Sequence, residues 1–361
     1  MMALNADGEM SMGGSSAGSS INLEINKLAE ATIALNDKEA RHLASLTANA
    51  STISLYDFYG KSFYVYGQDE YTTPGTYDWV CPAGVTAVSV ICVGGGGGGD
   101  AGSDLIGVGG GGGGGALAYR NNIAVTEGVT YTIVVGAGGA GQITINRTTT
   151  QDSTNGGASS AFSCIAGGGS KGTQGTAQVV IGSTNATGGE ISGVYDGGAA
   201  GGYGGTIDTT TVGFRPPGGG GAAGYSGVGG FGGKGRRATG SPASAASFNG
   251  DAAATNSGGG GGGGAGYASD SNRIGVGANG GGVGVQGKGT TGAGGAGGTS
   301  TSPATNGGDG SNDYFSMSVG QGGGGGVGGD NRSASPGGDG AVRIVYPGQL
   351  RQFPSTGVAN A

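Results

Sequence analysis

From Thr76 onward the chain alternates apolar and polar positions with a period of two, the pattern of half-buried strands. Residues 76–80 give a first strand, Pro82-Ala83-Gly84 a turn, and the following run a second strand whose Val88, Val90 and Cys92 share one face. Residues 115–125 and 129–139 read as a hairpin closed at Glu127-Gly128, 159–169 as a fifth strand and Ala341–Tyr346 as a sixth. This order predicts a mainly β fold. A small antiparallel β-sandwich is closed by the last strand, preceded by a short mixed N-terminal region and interrupted by a glycine-rich insertion.

Over residues 197–340 the amphipathic pattern gives way to a period of three. Val228, Phe231 and Lys234 are spaced this way, as are Ala200, Tyr203 and Thr206; Ala293, Ala296 and Thr299; Val327 and Asp330; and, upstream, Ala137 and Ala140. Three residues per turn belongs to neither helix nor strand and fits polyproline II, which makes no internal hydrogen bonds. Each N–H and C=O must then bond to a neighbouring segment, and glycine lets backbones come close enough for that. The expected arrangement is a polyglycine II helix bundle inserted before the last strand.

Composition narrows the function classes. With 96 glycines in 361 residues and a net charge of −7, the chain lacks the clustered Lys and Arg that phosphate-backbone binding needs, and Arg-Gly-Gly repeats are missing. Cys81, Cys92 and Cys164 have no metal-ligand spacing and read as small apolar strand residues. No run of 18 apolar residues and no basic-then-apolar N-terminus occurs, so neither membrane insertion nor secretion is expected.

Residues 1–67 differ in composition and hold a repeat, ATIALND at 31–37 and STISLYD at 51–57, at a spacing of 20. Asn36 or Asp37 can cap a helix to about Leu46, with Ala40, Leu43 and Leu46 on one side. Units this short do not make a free-standing core and are expected to dock on a partner.

The run SINLEINK, TIALNDKEARHLA, TISLYDFYGKS, with its Asp-Phe-Tyr-Gly-Lys-Ser ending at 57–62, resembles the N-terminal segment of tailed-bacteriophage tail and tail-fibre proteins. The Trp79-Val80-Cys81-Pro82-Ala83-Gly84-Val85 entry and the Gly340-Ala341-Val342-Arg343-Ile344 exit resemble the glycine-rich domain of phage tail proteins. Similar glycine bundles form adhesin tips of T-even-like long tail fibres. The resemblance implies a structural virion protein of the tail acting as a host-receptor-binding adhesin, with a spacer or cap lacking its own receptor as the alternative. It implies attachment to other tail, baseplate or fibre proteins through residues 1–67, with Ile33, Leu35, Ile53, Leu55, Phe58 and Tyr59 as the contacts, and a bacterial surface receptor, protein or glycan, at the other side.

Chemistry adds nothing catalytic. Gly-x-Gly-x-x-Gly matches carry almost no information in so glycine-rich a chain. Gly60-Lys61-Ser62 lacks the glycine five residues earlier that a phosphate loop requires, and His42 is the single histidine. No enzyme, cofactor or metal is expected. Reversal of successive glycine runs would put 206–217, 267–274 and 299–319 at one end and 236–257 with 330–336 at the other. The first end carries Phe214, Arg215, Tyr267, Arg273, Tyr314 and Phe315, aromatic and Arg residues of the kind that binding surfaces favour, and these are the expected receptor contacts. The domains expected are therefore 1–67 for attachment, 68–350 for sandwich and bundle, and 351–361 as a tail.

Overall fold

The computed structural model describes residues 65–101, 108–145, 148–175, 186–208, 213–238, 248–255, 259–263, 277–296, 304–307 and 331–354, with Ile21, Leu43, Ala44, Phe58, Ser257, Asp309 and Gly320. They fall into two compact units, Met1–Tyr66 with Pro82–Val85, and Gly67–Cys81 with Thr86–Ala361. In the first, Ile21, Leu43, Ala44 and Phe58 are buried. The expected turn is also there: the Val85 N–H donates to the Pro82 carbonyl at 3.2 Å, and Gly84 takes a φ of 77°.

Among its described residues the second unit is mainly β, with antiparallel sheets and almost no helix. One five-stranded sheet runs in the order Gly67–Tyr71, Ala341–Tyr346, Ala87–Val93, Leu117–Ala124, Gly197–Ala199. The other runs Ile191–Gly193, Cys164–Ala166, Ser159–Ala161, Thr130–Val135, Gly75–Val80. All pairings in both are antiparallel. The last strand lies inside the first sheet, between Gly67–Tyr71 and Ala87–Val93. Cys92 faces across to the second sheet, its Sγ 3.7 Å from the Cys164 carbonyl.

Two strand expectations are corrected. Residues 115–125 and 129–139 do not form a hairpin, because Leu117–Ala124 pairs with Ala87–Val93 whereas Thr130–Val135 pairs with Gly75–Val80. The chain crosses between sheets where Val129 donates to the Thr126 carbonyl at 3.1 Å. Alternation marks a strand without naming its partner. The expected fifth strand is a hairpin of Ser159–Ala161 and Cys164–Ala166, reversing at Phe162 (φ 49°) and Ser163 (φ 64°). Two successive left-handed residues make the turn whose twist suits a two-residue hairpin.

The face carrying Val88, Val90 and Cys92 is buried as expected, and so is the opposite one. Every residue of Ala87–Val93 and Ala341–Tyr346 is buried. Outside the sandwich, Ile91, Val93, Leu117, Ala341 and Val345 pack against Ala222, Ala223, Tyr225, Val283, Val285 and Phe353. Turns of the glycine-rich region thus cover the outer face of the first sheet.

A polyglycine helix bundle set apart over 197–340 is not evident. Glycine-rich segments bonded to one another begin at Gly94, and the first of them continue the strands themselves. Gly94, Gly97 and Asp100 donate to Ala116, Gly113 and Gly110; Gly95 and Gly98 to Gly157 and Thr154; Gly96 and Gly99 to Gly338 and Ser335, all at 2.8–3.0 Å. Three successive amides point to three neighbours, and the partner changes by three each time. Composition shows where glycine accumulates, not where strand-to-strand bonding ends, so the boundary at 197 has no structural counterpart.

Candidate functional site

The hydrogen bonds fix the direction of each segment. Gly139 and Gln142 donate to Gly96 and Gly99, so 136–142 runs parallel to 94–99 away from the sandwich, and Gly157 and Thr154, donating to Ala137 and Ala140, run back. The same reasoning makes 200–206, 229–235 and 259–263 outward and 218–223, 250–254 and 277–282 inward. The run 218–235 reverses at its middle, where Gly224 donates to the Gly227 carbonyl at 2.9 Å. Thr206, Gly218, Gly235, Gly250, Gly263 and Ala278 therefore stand together at the distal end, linked through the Gly235–Thr206, Gly218–Gly233, Gly233–Gly263 and Gly219–Ala278 bonds.

This corrects the division of connections between two ends. Gly235 and Gly250, on either side of 236–249, stand at the same distal end as Thr206 and Gly218, and Asn331–Ser333 is distal too, paired with Ile143–Ile145. At the distal end Gly235–Ala238 pairs parallel with Ile207–Asp208 and antiparallel with Gly213–Arg215, setting Phe214 opposite Arg237 and Arg215 opposite Arg236. Of the expected receptor contacts, Phe214 and Arg215 have this place. Tyr267, Arg273, Tyr314 and Phe315 lie outside the described residues. Among the expected attachment residues Phe58 is buried, and Ile33, Leu35, Ile53, Leu55 and Tyr59 lie outside the described residues. Arg236 and Arg237 were not singled out in the sequence, because no pattern in it pairs them with 213–215.

A second feature lies on the side of the array. The outward segments 200–206 and 229–235 run parallel, with Gly229, Gly232 and Gly235 donating to Ala200, Tyr203 and Thr206 at 3.3, 2.9 and 2.7 Å. Their glycines are buried, whereas Tyr203, Val228, Phe231 and Lys234 are exposed. The Tyr203 and Phe231 rings meet edge to face at 5.2 Å. Asp251, also exposed, joins from the next segment, its N–H donating to the Phe231 carbonyl at 2.8 Å. Sequence dictates this: a Cβ on Gly229, Gly230 or Gly232 would run into the carbonyls of Gly221, Asp251 or Gly218. Only every third position can hold a side chain. The period was legible in the sequence, but not the side-by-side placing of Tyr203 and Phe231.

Elsewhere in the array, several amides that have no backbone partner are taken by side chains. Gly138 donates to Asp339 Oδ1 at 2.8 Å, Lys171 to Asn155 Oδ1 at 2.9 Å, Gly282 to Asp309 Oδ1 at 2.6 Å and Ala296 to Thr305 Oγ1 at 2.7 Å. Along the stripe the N–H groups of Tyr203, Phe231 and Lys234 have no protein acceptor among the described residues. No group of His, Cys, Asp and Glu able to hold a metal, and no helix long and apolar enough to cross a membrane, occurs among the described residues.

A family model described as a glycine-rich domain matches residues 72–286. No curated protein matches the chain.

Proposed function

The chain belongs to the glycine-rich domain family, and from that premise we propose that it is a structural protein of a bacteriophage tail, a fibre or tip component acting as a host-surface adhesin. The observation that carries the proposal is the distal sheet. The glycine segments hold Phe214, Arg215, Arg236 and Arg237 on adjacent strands at the end farthest from the sandwich. Rigid display of loop residues on a hydrogen-bonded scaffold is how binding surfaces are commonly built, and Arg and aromatic residues supply most binding energy at such surfaces. The resemblance of residues 57–62 to tail-protein attachment segments supplies the other half, docking on tail, baseplate or fibre partners through 1–67. Tyr267, Arg273, Tyr314 and Phe315 complete the proposed contact set.

The test is adsorption of virions carrying Phe214→Ala with Arg215→Ala in the full chain. Adsorption should be lost with the melting temperature unchanged. Normal adsorption by virions that incorporate the variant would favour a tail spacer or cap without a receptor, and absence of the protein from virions would refute both.

A further inference from the structure

We infer that the lateral stripe of Tyr203, Phe231, Val228 and Lys234, with Asp251, is a second binding site, and that its ligand is an extended polysaccharide of a bacterial cell surface. The bacterial source rests on the adhesive reading above; the chemistry rests on the stripe alone.

Three features select the ligand. The exposed ring pair offers apolar area that costs free energy to leave in water, and a pyranose ring has one such apolar C–H face. Beside the rings stand the amides of Tyr203, Phe231 and Lys234, with no protein acceptor among the described residues; an oxygen can fill such a place, as those of Asp339, Asn155 and Thr305 do elsewhere in the array. A hydroxyl accepts from such an N–H and donates to the Asp251 carboxylate or the Tyr203 oxygen, so a polyhydroxyl chain satisfies both kinds of group together. The third feature is repetition. Val228, Phe231 and Lys234 recur at equal steps along one straight segment held by backbone bonds on either side, which suits a polymer lying along it.

A further glycine segment, from this chain or a second copy, is the competing occupant, since its carbonyls would also accept from these amides. The side chains exclude it. Segments in the array approach so closely that a Cβ at Gly229, Gly230 or Gly232 would meet a neighbour's carbonyl, and the stripe carries Tyr, Phe and Lys where that neighbour would lie.

The test uses the full chain against an immobilised panel of purified capsular and O-antigen polysaccharides. The wild type should be retained by at least one, and Tyr203→Ala with Phe231→Ala should weaken that binding roughly tenfold or more, about 1.4 kcal/mol, at an unchanged melting temperature. The tip variant Phe214→Ala with Arg215→Ala should bind as the wild type does. Retention by no member of the panel, undiminished binding by the stripe variant, or displacement of the polysaccharide by a synthetic peptide of residues 197–205 would each overturn the inference. Polysaccharide binding by a protein that virions do not need for adsorption would defeat the adhesive role and leave the stripe assignment standing.

Discussion

The Arg343 guanidinium donates to the side-chain carbonyl of Gln68 at 2.5 Å, and its other terminal nitrogen donates to the Val285 carbonyl at 3.2 Å. Arg343 is fully buried, and a charge so placed is tolerated only with partners. It stands opposite Glu70 in register, and Gln286 donates to the Glu70 carboxylate at 2.8 Å. Burial pushes the Arg343 pKa down and the Glu70 charge opposes that. Arg343→Ala should cost about 3 kcal/mol in urea unfolding, by opening a cavity, taking the donor from the Val285 carbonyl and removing the countercharge of Glu70, while Gln68 keeps Arg351 and Glu70 keeps Gln286. Arg343→Met should lose less, because it keeps the volume.

Adjacent positions of the segment 229–235, one buried and one exposed, should respond to very different degrees. Gly230→Ala sets a methyl against the Asp251 carbonyl and the Gly262 amide. It should lower stability by about 2 kcal/mol, the loss of one or two hydrogen bonds at about 1 kcal/mol each with backbone displacement. Phe231→Ala removes an exposed ring and should shift stability by about 0.5 kcal/mol or less. Paired thermal melts decide it.

Stability should fall at alkaline pH. Burial pushes the Tyr225 hydroxyl well above its ordinary value of about 10; it donates to the Gly284 carbonyl and accepts from the Gly287 N–H, both at 2.9 Å. A raised folded-state pKa means the stabilisation is whole below pH ~10 and is lost as pH climbs from there toward the folded value, since the unfolded chain ionises first. Burial raises Tyr71, Tyr119 and Tyr346 in the same direction. Melting temperatures from pH 8 to 11 should decline, and less steeply in Tyr225→Phe once its lower starting stability is subtracted.

The cysteines should be silent in the native state. Cys81, Cys92 and Cys164 are all buried and unbridged, and burial pushes the Cys81 and Cys92 thiols up, Cys92 well up, which keeps them from the reactive thiolate form. An aromatic disulfide reagent at pH 8 should label none without denaturant and all three in it.

Sandwich and glycine array should melt as one. Trp79, the single tryptophan, lies in the sandwich, where its Nε1 donates to Asp69 at 2.8 Å among the rings of Tyr131, Phe162 and Tyr346. Its fluorescence and the far-ultraviolet signal of the whole chain should change at one midpoint. Separate midpoints that persist when residues 1–64 are removed would show that the array unfolds by itself.

Much of the sandwich was legible because its central strands are short apolar runs between turn residues: Val88, Val90 and Cys92 share a buried face as the period of two requires, although the opposite face of Ala87–Val93 is buried as well. Pairing was not legible. Thr130–Val135 bonds to a strand about fifty residues earlier, and nothing local at Glu127-Gly128 distinguishes a hairpin from a crossing between sheets. The Gly67–Tyr71 strand was missed because its GQDEY sequence is polar and alternates weakly; it is held at the sheet edge by its pairing with Ala341–Tyr346. At the tip, Phe214 and Arg215 were chosen by residue type, and the reversal at Gly224-Tyr225-Ser226-Gly227 that brings Arg236 and Arg237 beside them was not used, because a Tyr-Ser pair between glycines reads the same in a continuing run as in a turn.

Because glycine segments continue sandwich strands with no hinge between, tension applied at the distal end would pass straight into both sheets. The bonds between segments lie across the line of pull. They would be loaded in shear, many together, rather than peeled apart singly, so under the adhesive role proposed above a contact at the tip would give way before the protein that holds it.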